Sequence, residues 1–425
     1  MTEPRNPVPN GERPFDLVVF GATGFTGRLV AEYLARSRPR HLRWAIAGRD
    51  RQKLAGVKAE LVRIDSTLDA PGALEVLTAD SGDRASLDAV ARAARVIATT
   101  VGPYRSYGRE LTSACAENGT HYADLTGEVP FIRESIDRND ARARETGARI
   151  VHSAGFDSIP SDLGVFMLHQ HFSKRSRKLA RASFFCEAVK AGLSGGTVAS
   201  MTSLMEGASG DRELRRLLTN PYALTPQARQ TGPNADRYKV RFEPRIGKWV
   251  CPFIMAQINT RNVHRSNALL DYAYGRDFAY SEEMCTGAGP VGFARAAAVT
   301  GGLATFATLA ATKVGRRAIK PFQPAPGEGP SLEQREAGFF KIRIIGESDA
   351  ESGSARIAAD AEIHGQRDPG YGETALMLSE SALCLAFDPL DAPGGVLTPS
   401  VAMGAHLLER LRGAGMTFRV IDRAS

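Results

Sequence analysis

The sequence predicts an α/β protein: a Rossmann-type doubly wound parallel sheet, followed by an α+β domain with a mostly antiparallel sheet. A short apolar run, residues 17–21, precedes three glycines spaced by three and an amphipathic stretch, which gives strand, tight turn and helix in that order. Apolar runs then alternate with helical patterns to about residue 160, as in parallel sheets covered by helices. Beyond about residue 179, strand-like runs follow one another directly, which favours antiparallel pairing.

Length and composition limit the classes of protein to which the chain can belong. At 425 residues it exceeds one ordinary core, and 43% apolar with 24% charged residues is typical of soluble globular proteins. The net charge of +7 comes from basic residues that are spread along the chain, so nucleic acid is not expected as a partner. Five cysteines lie far apart without a Cys-x-x-Cys pair, so neither a disulfide framework nor a metal site is expected. The polar, proline-rich residues 1–13 are typical of a disordered leader and lack the apolar core of a signal peptide, which favours a cytoplasmic protein.

The stretch 15–27 (FDLVVFGATGFTG) carries the strongest candidate site. Gly21 permits a tight turn without a Cβ clash, Gly24 lets the backbone approach a diphosphate, and Gly27 lets the helix pack closely on the strand. The N–H groups at the helix start then face the phosphates. This pattern predicts a dinucleotide site, and the alternative is a tight β-α turn that binds nothing.

The second predicted strand, residues 42–47, ends where a dinucleotide fold contacts the ribose next to adenine. An acidic residue there favours NAD, but here Arg49 follows, with Lys53 one helical turn further on. A guanidinium donates a bidentate pair of hydrogen bonds to a 2′-phosphate, so we predict NADP(H) over NAD(H). The alternative for Arg49 is a solvent-exposed loop residue. Asp50 is a candidate cap for the next helix.

The third and fourth predicted strands also end at candidate residues. Asp80 either contacts the adenine amino group or caps the helix that follows it. After the fourth strand comes a turn that lies beside the glycine turn in a doubly wound sheet. In this turn Gly102 permits close approach to the cofactor and Pro103 stiffens the loop. Tyr104 either hydrogen-bonds the substrate or packs against a ring.

The sixth predicted strand, residues 148–153, ends in GFDSIPSD at residues 155–162. This turn combines a glycine, two carboxylates and two hydroxyls at the mouth of a strand. Asp157 or Ser158 either caps the following helix or lies near the nicotinamide and orients it or the substrate.

After the leader, the chain divides into three predicted parts. Residues 14–165 form the nucleotide-binding domain, 166–390 a cover domain for the substrate, and 391–425 a C-terminal helix that returns to the nucleotide domain. Within the cover domain we expect strands at 181–189, 250–258, 339–345 and 356–364, a helix at 195–207, an irregular excursion at 212–247 and a helix at 371–386.

Residues 296–312 (AAAVTGGLATFATLAAT) are apolar, but the segment has 17 residues, contains two glycines and four threonines, and is short for a membrane span. Three interpretations stay open. The segment is a buried core helix, or a flap that lines an acyl pocket or contacts a membrane surface, or a true span. The basic residues 313–320 suit an anionic lipid face in the second case.

Five stretches in order carry a family resemblance: GATGFTG (21–27), AGRD (47–50), VGPYRSYG (101–108), CAENGTHYADLTGE (115–128) and GFDSIPSDLG (155–164). Together they resemble the saccharopine dehydrogenase-like oxidoreductases, and GGVLTPSVAMGAHLLERL (394–411) resembles their C-terminal segment. Within that group the sequence is most similar to the trans-acting enoyl reductases of bacterial polyketide-lipid (phthiocerol-type) biosynthesis. The resemblance implies NADPH-dependent reduction of a carbon–carbon double bond in an acyl chain held by a carrier or synthase. By motif match it implies cofactor-side roles for Gly21, Thr23, Gly24, Phe25, Thr26, Gly27, Arg49, Gly102 and Tyr104, and Ala22, Lys53, Asp80 and Pro103 complete the candidate cofactor-binding set.

Such a reaction needs hydride at the β-carbon, a proton at the α-carbon and a donor to the enolate oxygen. Tyr104, Asp157 and Ser158 are the candidate catalytic residues, with Tyr104 as donor or orienter. Two alternatives remain: a ketone or imine reductase of the saccharopine dehydrogenase type, and a non-catalytic NADPH-binding protein at a lipid surface. The expected partners are an acyl or polyketide substrate on a carrier or synthase and a peripheral membrane contact, with a homodimer as one assembly.

Overall fold

The computed structural model describes residues 13–191, 202, 206, 207, 210–226, 234–319, 329–349 and 356–423. The chain divides into two compact units. The first comprises Met1–Phe156, Gly327–Gly329 and Tyr371–Ala414, and the second comprises Asp157–Pro326, Pro330–Gly370 and Gly415–Ser425. The predicted leader lies outside the described residues except for Arg13, and the predicted helix 195–207 lies outside them except for 202, 206 and 207.

Within the described residues, the helices and strands follow one another in this order. The chain begins with β1 Phe15–Phe20, α1 Phe25–Ser37, β2 Trp44–Gly48, α2 Arg51–Ile64, a 3₁₀ turn Ser66–Asp69, β3 Leu74–Thr78, α3 Arg84–Ala93, β4 Ala94–Thr99, α4 Tyr104–Tyr107, α5 Arg109–Asn118, β5 His121–Asp124, α6 Val129–Thr146 and β6 Arg149–Val151. It continues with α7 Ile159–Ser173, β7 Leu179–Lys190, α8 Arg212–Thr219, β8 Arg241–Glu243, β9 Lys248–Pro252, α9 Ala256–Leu269, β10 Ala279–Gly287, α10 Gly289–Ala311, α11 Lys313–Ile319, α12 Leu332–Glu336, β11 Phe339–Ser348 and β12 Ala358–Gly365. It ends with a π-helix Pro369–Glu373, α13 Thr374–Phe387, β13 Gly395–Leu397, α14 Pro399–Ala402, α15 Gly404–Gly413 and β14 Thr417–Asp422.

The first unit is built on a seven-stranded sheet of order β13-β6-β5-β4-β1-β2-β3, in which every pair is parallel. The strand order reverses at β1, which has β2 on one side and β4 on the other. Leu17, Val18 and Val19 in β1 are fully buried, as expected for a parallel strand covered on both faces. The predicted doubly wound sheet is therefore confirmed, and its switch point lies next to the glycine turn.

Segments near the C-terminus complete this unit. β13 pairs with β6, and the Arg149 guanidinium donates to the carbonyls of Leu390 and Ala392, each at 2.8 Å. α13 packs on β1, β4 and β5, and all of its residues except Phe387 are buried. A helix that carries apolar residues around most of its circumference needs such burial. The first unit therefore resumes at Tyr371 rather than at residue 391, and the second begins at Asp157 rather than at 166.

The second unit is built on a sheet of order β14-β12-β11-β7-β10-β9-β8. All of its strand pairs are antiparallel except β7 with β10, which is parallel. α7 packs against β7, β11 and β12, and Phe185, Val250 and Ile345 form part of the core. The mostly antiparallel sheet predicted for the second half is confirmed.

Several elements of the second unit differ from the prediction. The strand predicted at 250–258 ends at Pro252, and the helix α9 begins at Ala256. The stretch 212–247, predicted to be irregular, contains α8, which the Asp211 carboxylate caps, and β8. β10 is missing from the predicted elements because Glu282 and Glu283 suggest a surface, yet both are buried in this strand.

The apolar segment lies in the helix α10, and the first of its three interpretations, a buried core helix, is wrong. Among the described residues it is the one helix long and apolar enough to cross a membrane, with a mean hydropathy of 1.3 over its most apolar window. Only 11% of that window is buried in the structure, so α10 is not a buried core helix. Apolar composition predicted the helix but could not show what covers it.

Candidate functional site

The glycine turn after β1 has a geometry that only glycine allows at two positions. Gly21 has φ +90°, and a Cβ there would lie 2.5 Å from Val101 Cγ2. A Cβ on Gly27 would lie 2.2 Å from the Gly21 carbonyl oxygen, so α1 packs against the turn as closely as its backbone permits. The N–H of Gly24 donates to the Gly21 carbonyl at 3.0 Å, which closes the turn. These contacts agree with the turn and packing roles expected for Gly21 and Gly27.

The start of α1 fits a phosphate group. Gly24 is the N-cap residue, and within the described chain no side chain caps this helix and no acidic residue occupies its first turn. A helix N-terminus has unsatisfied N–H groups and a positive dipole end, both of which favour an anion. Gly24 is exposed, and a Cβ there would meet only the Gly21 carbonyl, at 3.3 Å. The residues present therefore fit the diphosphate of a dinucleotide.

The rest of the glycine loop is held by side chains and by a close backbone contact. Ala22 is buried, whereas Thr23 and Thr26 are half-buried. The Phe25 ring meets Tyr371 edge-on, with 4.8 Å between the ring centroids. A Cβ on Gly329 would lie 2.4 Å from the Phe25 ring, so the backbone approaches that ring closely. Tyr371 and Gly329 lie far from the loop in sequence, and no motif pointed to them.

The ends of β2 and β3 lie side by side, because the Ala79 N–H donates to the Gly48 carbonyl at 3.0 Å. Arg49 is exposed there and has neither a hydrogen bond nor an ion pair within the described part of the chain. A free guanidinium at this place fits a 2′-phosphate. Lys53 is exposed as well, with its ammonium 3.9 Å from the Asp50 carboxylate.

The two capping predictions at these strand ends have different outcomes. Asp50 caps α2, accepting from the Lys53 N–H at 3.0 Å, as expected. Asp80 does not cap α3, because that role belongs to Asp83, which accepts from the Ala85 N–H. The Asp80 carboxylate accepts instead from the Gly82 N–H at 2.8 Å and is otherwise exposed.

The turn after β4 is fixed by a carboxylate from the neighbouring strand. Glu128, which follows β5, accepts from the N–H groups of Tyr104 and Arg105 at 3.0 and 3.1 Å. This caps the short helix α4 and holds the turn that contains Gly102 and Pro103. Gly102 is exposed and Pro103 is half-buried, so this side of the turn is open.

The Tyr104 side chain points into the first unit. It is 6% exposed, and its ring packs against Phe131. Its hydroxyl donates to the Thr99 carbonyl and accepts from the Leu125 N–H, each at 3.2 Å. These bonds tie the ends of β4 and β5 together.

A buried polar chain lies beneath the same sheet edge, and the sequence reasoning missed it. His152 Nδ1 lies 2.7 Å from Asp124 Oδ2, and His152 Nε2 lies 2.8 Å from Ser135 Oγ. Asp124 also accepts from the Tyr122 hydroxyl and from the Ser153 N–H. The order of these groups resembles a catalytic triad, but all three are at most 3% exposed. Ser135 also lies inside α6, where the backbone N–H groups serve the helix, so the chain fixes β5 and β6 rather than attacking a substrate.

Asp157 and Ser158 belong to the second unit. Asp157 is half-buried. Ser158 is fully buried; its hydroxyl donates to Asn259 Oδ1 at 3.0 Å and accepts from Asn262 Nδ2 at 2.7 Å. Ser158 stands at the N-cap position of α7, but its side chain serves these two amides and not the helix, so the predicted side-chain cap is wrong for Ser158.

The two amides belong to a larger buried network. Asn259 Nδ2 donates to Glu282 Oε2 at 2.9 Å, and the Tyr280 hydroxyl donates to Glu282 Oε1 at 2.6 Å. Burial raises the pKa of Glu282 to about 7, despite hydrogen bonds that favour the carboxylate. The signal in the sequence that could have indicated this network is the spacing of its residues. Residues 259 and 262 lie on one face of a helix, and residues 280 and 282 lie on one face of a strand.

The candidates thus form two groups. The glycine loop, Arg49, Asp80 and the turn from Gly102 to Tyr104 all follow strands of one parallel sheet, so they lie at its carboxyl edge, where such folds bind ligands. Asp157 and Ser158 start the second unit. No group of three or more His, Cys, Asp or Glu side chains suited to a metal occurs in the described ranges.

Comparison with known proteins agrees with this geometry. The family model described as the saccharopine dehydrogenase NADP binding domain matches residues 17–151. A Mycobacterium tuberculosis protein whose name provisionally assigns it as a trans-acting enoyl reductase is 42% identical over 97% of this chain and 99% of its own length. Proteins named trans-acting enoyl reductase from Mycobacterium bovis and Mycobacterium ulcerans are each 40% identical, over 95% and 96% of this chain and 97% and 98% of theirs.

A solved structure shows the same fold. Apo saccharopine dehydrogenase (L-Glu forming) from Saccharomyces cerevisiae matches 96% of this chain and 99% of its own, with a TM-score of 0.56 and 12% identity. At 12% identity, the similarity to this structure shows the fold alone. The 40–42% identity to the mycobacterial proteins over nearly the full chain shows the family. The chain therefore belongs to the trans-acting enoyl reductase family of saccharopine dehydrogenase-like oxidoreductases, and its cofactor is NADP(H).

Proposed function

We propose that this protein uses NADPH to reduce a carbon–carbon double bond in an acyl or polyketide lipid intermediate. The observation that carries the proposal is the 40–42% identity, over nearly the full chain, to relatives named for trans-acting enoyl reduction. The dinucleotide cradle at the β1 turn supports it, because the reaction needs a reduced pyridine nucleotide held at a fixed place.

The cofactor rests on residues of the first unit in this proposal. The glycine loop takes the diphosphate, Arg49 and Lys53 take the 2′-phosphate, and Asp80 meets the adenine. Gly102 and Pro103 border the nicotinamide side. When bound, NADPH supplies the hydride for the β-carbon of the double bond. The complete set is Gly21, Ala22, Thr23, Gly24, Phe25, Thr26, Gly27, Arg49, Lys53, Asp80, Gly102 and Pro103.

The chain must then deliver a proton to the α-carbon and stabilise the enolate oxygen if the alkene is conjugated to a carbonyl. Because the Tyr104 hydroxyl already donates to one backbone carbonyl and accepts from one N–H, we assign it a positioning role for the turn that it ends. Asp157 is the half-exposed acid among the three candidates, and it is the group we propose as proton donor. Ser158, held by two amides, orients that turn.

The substrate reaches the enzyme on an acyl carrier or a polyketide synthase in this proposal, as the word trans-acting in the relatives' names implies. The compartment is the cytoplasm, with a peripheral membrane contact in the region of residues 296–320. The alternative is that the exposed helix α10 forms the interface of a homodimer.

Stopped-flow oxidation of the enzyme–NADPH complex tests the reaction. An enoyl thioester is expected to oxidise the bound NADPH in a single turnover, and the matching β-ketoacyl thioester is expected to leave it reduced. Oxidation by the ketoacyl substrate alone would make the protein a ketone reductase. Tight NADPH binding with no oxidation by either compound would make it a cofactor-binding protein without this activity.

A further inference from the structure

The helix α10 and the short helix α11 form an exposed apolar surface on the second unit, here called the α10–α11 surface. α10 has 23 residues and is about 35 Å long at 1.5 Å per residue. Val291 on its outer face is 61% exposed, Phe293 keeps 48% of its surface exposed beside Trp249, and Val314 in α11 is 77% exposed. Exposed apolar surface on this scale marks an interaction site in a soluble domain.

This surface is firmly attached to the second sheet and is not a loose appendage. Gly292 packs so closely on the turn before α10 that a Cβ there would lie 2.2 Å from the Gly287 carbonyl oxygen. The Thr286 hydroxyl donates to the Gly292 carbonyl at 2.8 Å, and the Trp249 ring meets Phe293 with 4.9 Å between centroids. One stripe, which includes Gly292, Ala296 and Ala310, therefore faces the protein, and the other sides of the helix face outward.

The charged residues that α10 and α11 themselves contribute to the surface are all basic. The sequence from residue 284 to 327 contains no Asp or Glu, and its charged residues are Arg295, Lys313, Arg316, Arg317 and Lys320. Arg316 is paired with Glu206 at 2.8 Å. Arg295, Lys313 and Arg317 are exposed and have no ion pair within the described parts of the chain. An apolar face bordered by basic side chains without ion pairs in the described parts of the chain complements a lipid layer with anionic headgroups.

The same features argue against the other occupants. A second copy would bring the same bases to a two-fold interface, with no carboxylate between residues 284 and 327 to match them. A transmembrane orientation would bury Arg295, which is about 9 Å from the helix start, together with the Gly301–Gly302 pair and several threonines. A helix that lies in the interface keeps Arg295 at the headgroup level.

We propose that the α10–α11 surface docks on an anionic membrane surface. The outer face of α10 enters the boundary between headgroups and acyl chains, and Lys313 and Arg317 lie against the lipid phosphates. The docking rests on the peripheral membrane contact of the proposed function but not on the proposed reaction, and it would bring a lipid-modifying enzyme to the surface where long acyl chains collect.

Flotation of the full-length protein with lipid vesicles tests the docking. We expect binding to phosphatidylcholine vesicles that contain about 30% phosphatidylglycerol, and much weaker binding to phosphatidylcholine alone. The pair Lys313→Gln and Arg317→Gln is expected to lower the partition coefficient about 30-fold, at about 1 kcal/mol for each base near the surface. The control pair, Arg40→Gln and Arg63→Gln, changes the net charge equally at exposed sites of the first unit and is expected to bind as the wild type does.

A second pair of variants separates apolar insertion from electrostatic adsorption. Val291→Asp with Val314→Asp is expected to abolish binding, whereas Leu332→Asp, at a site 59% exposed on α12, is expected to leave it unchanged. Circular dichroism and thermal unfolding of the full chain serve as the folding readout for all variants, and NADPH oxidation by the enoyl thioester is measured separately, so a loss of docking is distinguishable from a failed fold or a failed reaction. Absence of binding to the anionic vesicles, or equal loss in the control variants, would overturn the proposal. A dimer in light scattering that Val291→Asp with Val314→Asp converts to monomer would assign the surface to a second copy instead.

Discussion

Three glycine-to-alanine substitutions separate cofactor binding from folding in the first unit. Gly24→Ala adds a methyl group on the exposed side of the turn, 3.3 Å from the Gly21 carbonyl oxygen and near no other atom of the protein. Gly27→Ala adds it between the helix and the turn, 2.2 Å from that oxygen and 2.7 Å from Thr100 Oγ1. Gly56→Ala adds it in α2, where no atom lies within 4 Å.

The expected changes in stability and in NADPH affinity follow from these distances. Gly24→Ala replaces glycine at an N-cap position, which costs about 1 kcal/mol of stability or less. If the diphosphate lies against this backbone, the methyl group displaces it from one or more charged hydrogen bonds worth about 1.5–3 kcal/mol each, so NADPH affinity falls about 10- to 100-fold. Gly27→Ala forces α1 outward by more than an ångström and is expected to cost about 1–3 kcal/mol or more, in addition to the loss of NADPH binding.

Gly56→Ala is the matched control, because it places the same methyl group on an exposed helix interior of the same unit. It is expected to raise stability by about 1 kcal/mol and to leave NADPH affinity unchanged. The assays are calorimetric titration with NADPH and urea unfolding of each variant. A Gly24→Ala protein that binds NADPH like the wild type would refute the placement of the diphosphate at the start of α1.

Three further predictions concern single side chains. Because burial raises the pKa of Glu282 from 4.5 to about 7, the folded chain binds this proton more tightly than the unfolded chain does, and stability falls as pH rises from about 4.5 through about 7, by about 3 kcal/mol in total. Glu282→Gln removes that part of the pH dependence, so equal slopes for variant and wild type in urea unfolding between about pH 5 and about pH 8 would contradict the assignment. Arg49→Ala is expected to lower the preference for NADPH over NADH by about 10-fold or more, measured as the ratio of the two dissociation constants, since it removes a charged bidentate contact; an unchanged ratio would mean that Arg49 does not meet the 2′-phosphate. Tyr104→Phe leaves the half-buried Leu125 N–H without its acceptor and is expected to cost about 1–3 kcal/mol of stability with a small change in single-turnover rate; a rate loss of about 100-fold or more with unchanged stability would make Tyr104 the proton donor.

The nucleotide half of the fold was predictable from sequence because local signals agree with one another there. Strand β1, the glycine turn and helix α1 each have the composition that the next one requires, and alternation of strands with helices fixes a parallel sheet. The caps show the limit of such reasoning. Asp50 caps its helix as predicted, but three residues after Asp80 the sequence offers Asp83, which takes the cap instead.

The second unit was less predictable because its core is partly polar. α9 buries Asn259, Asn262 and Arg261, so its sequence has no apolar stripe to mark a helix. In β10, Glu283 is buried against the guanidiniums of Arg237 and Arg241, which come from other segments. A carboxylate that is neutralised by a distant arginine cannot be told from a surface carboxylate by its own neighbours in sequence.

The same distance effect applies to the candidate site. Ser158 was identified from its motif, but its two amide partners lie about a hundred residues further along the chain. Tyr371, which meets Phe25 in the glycine loop, comes from the far end of the sequence. Motifs mark where a site begins, whereas the side chains that hold it are chosen by the tertiary fold.

The return of Tyr371–Ala414 to the first unit has a consequence for how the protein is made. A ribosome that has finished β6 has produced six of the seven strands of the first sheet, but α13, which covers β1, β4 and β5, is still more than two hundred residues away. The newly made amino-terminal part of the first unit therefore keeps an apolar sheet face uncovered while residues 157–370, most of the second unit, are synthesised. A fragment cut after residue 165 keeps that bare face permanently, and we expect it to aggregate or to need a chaperone.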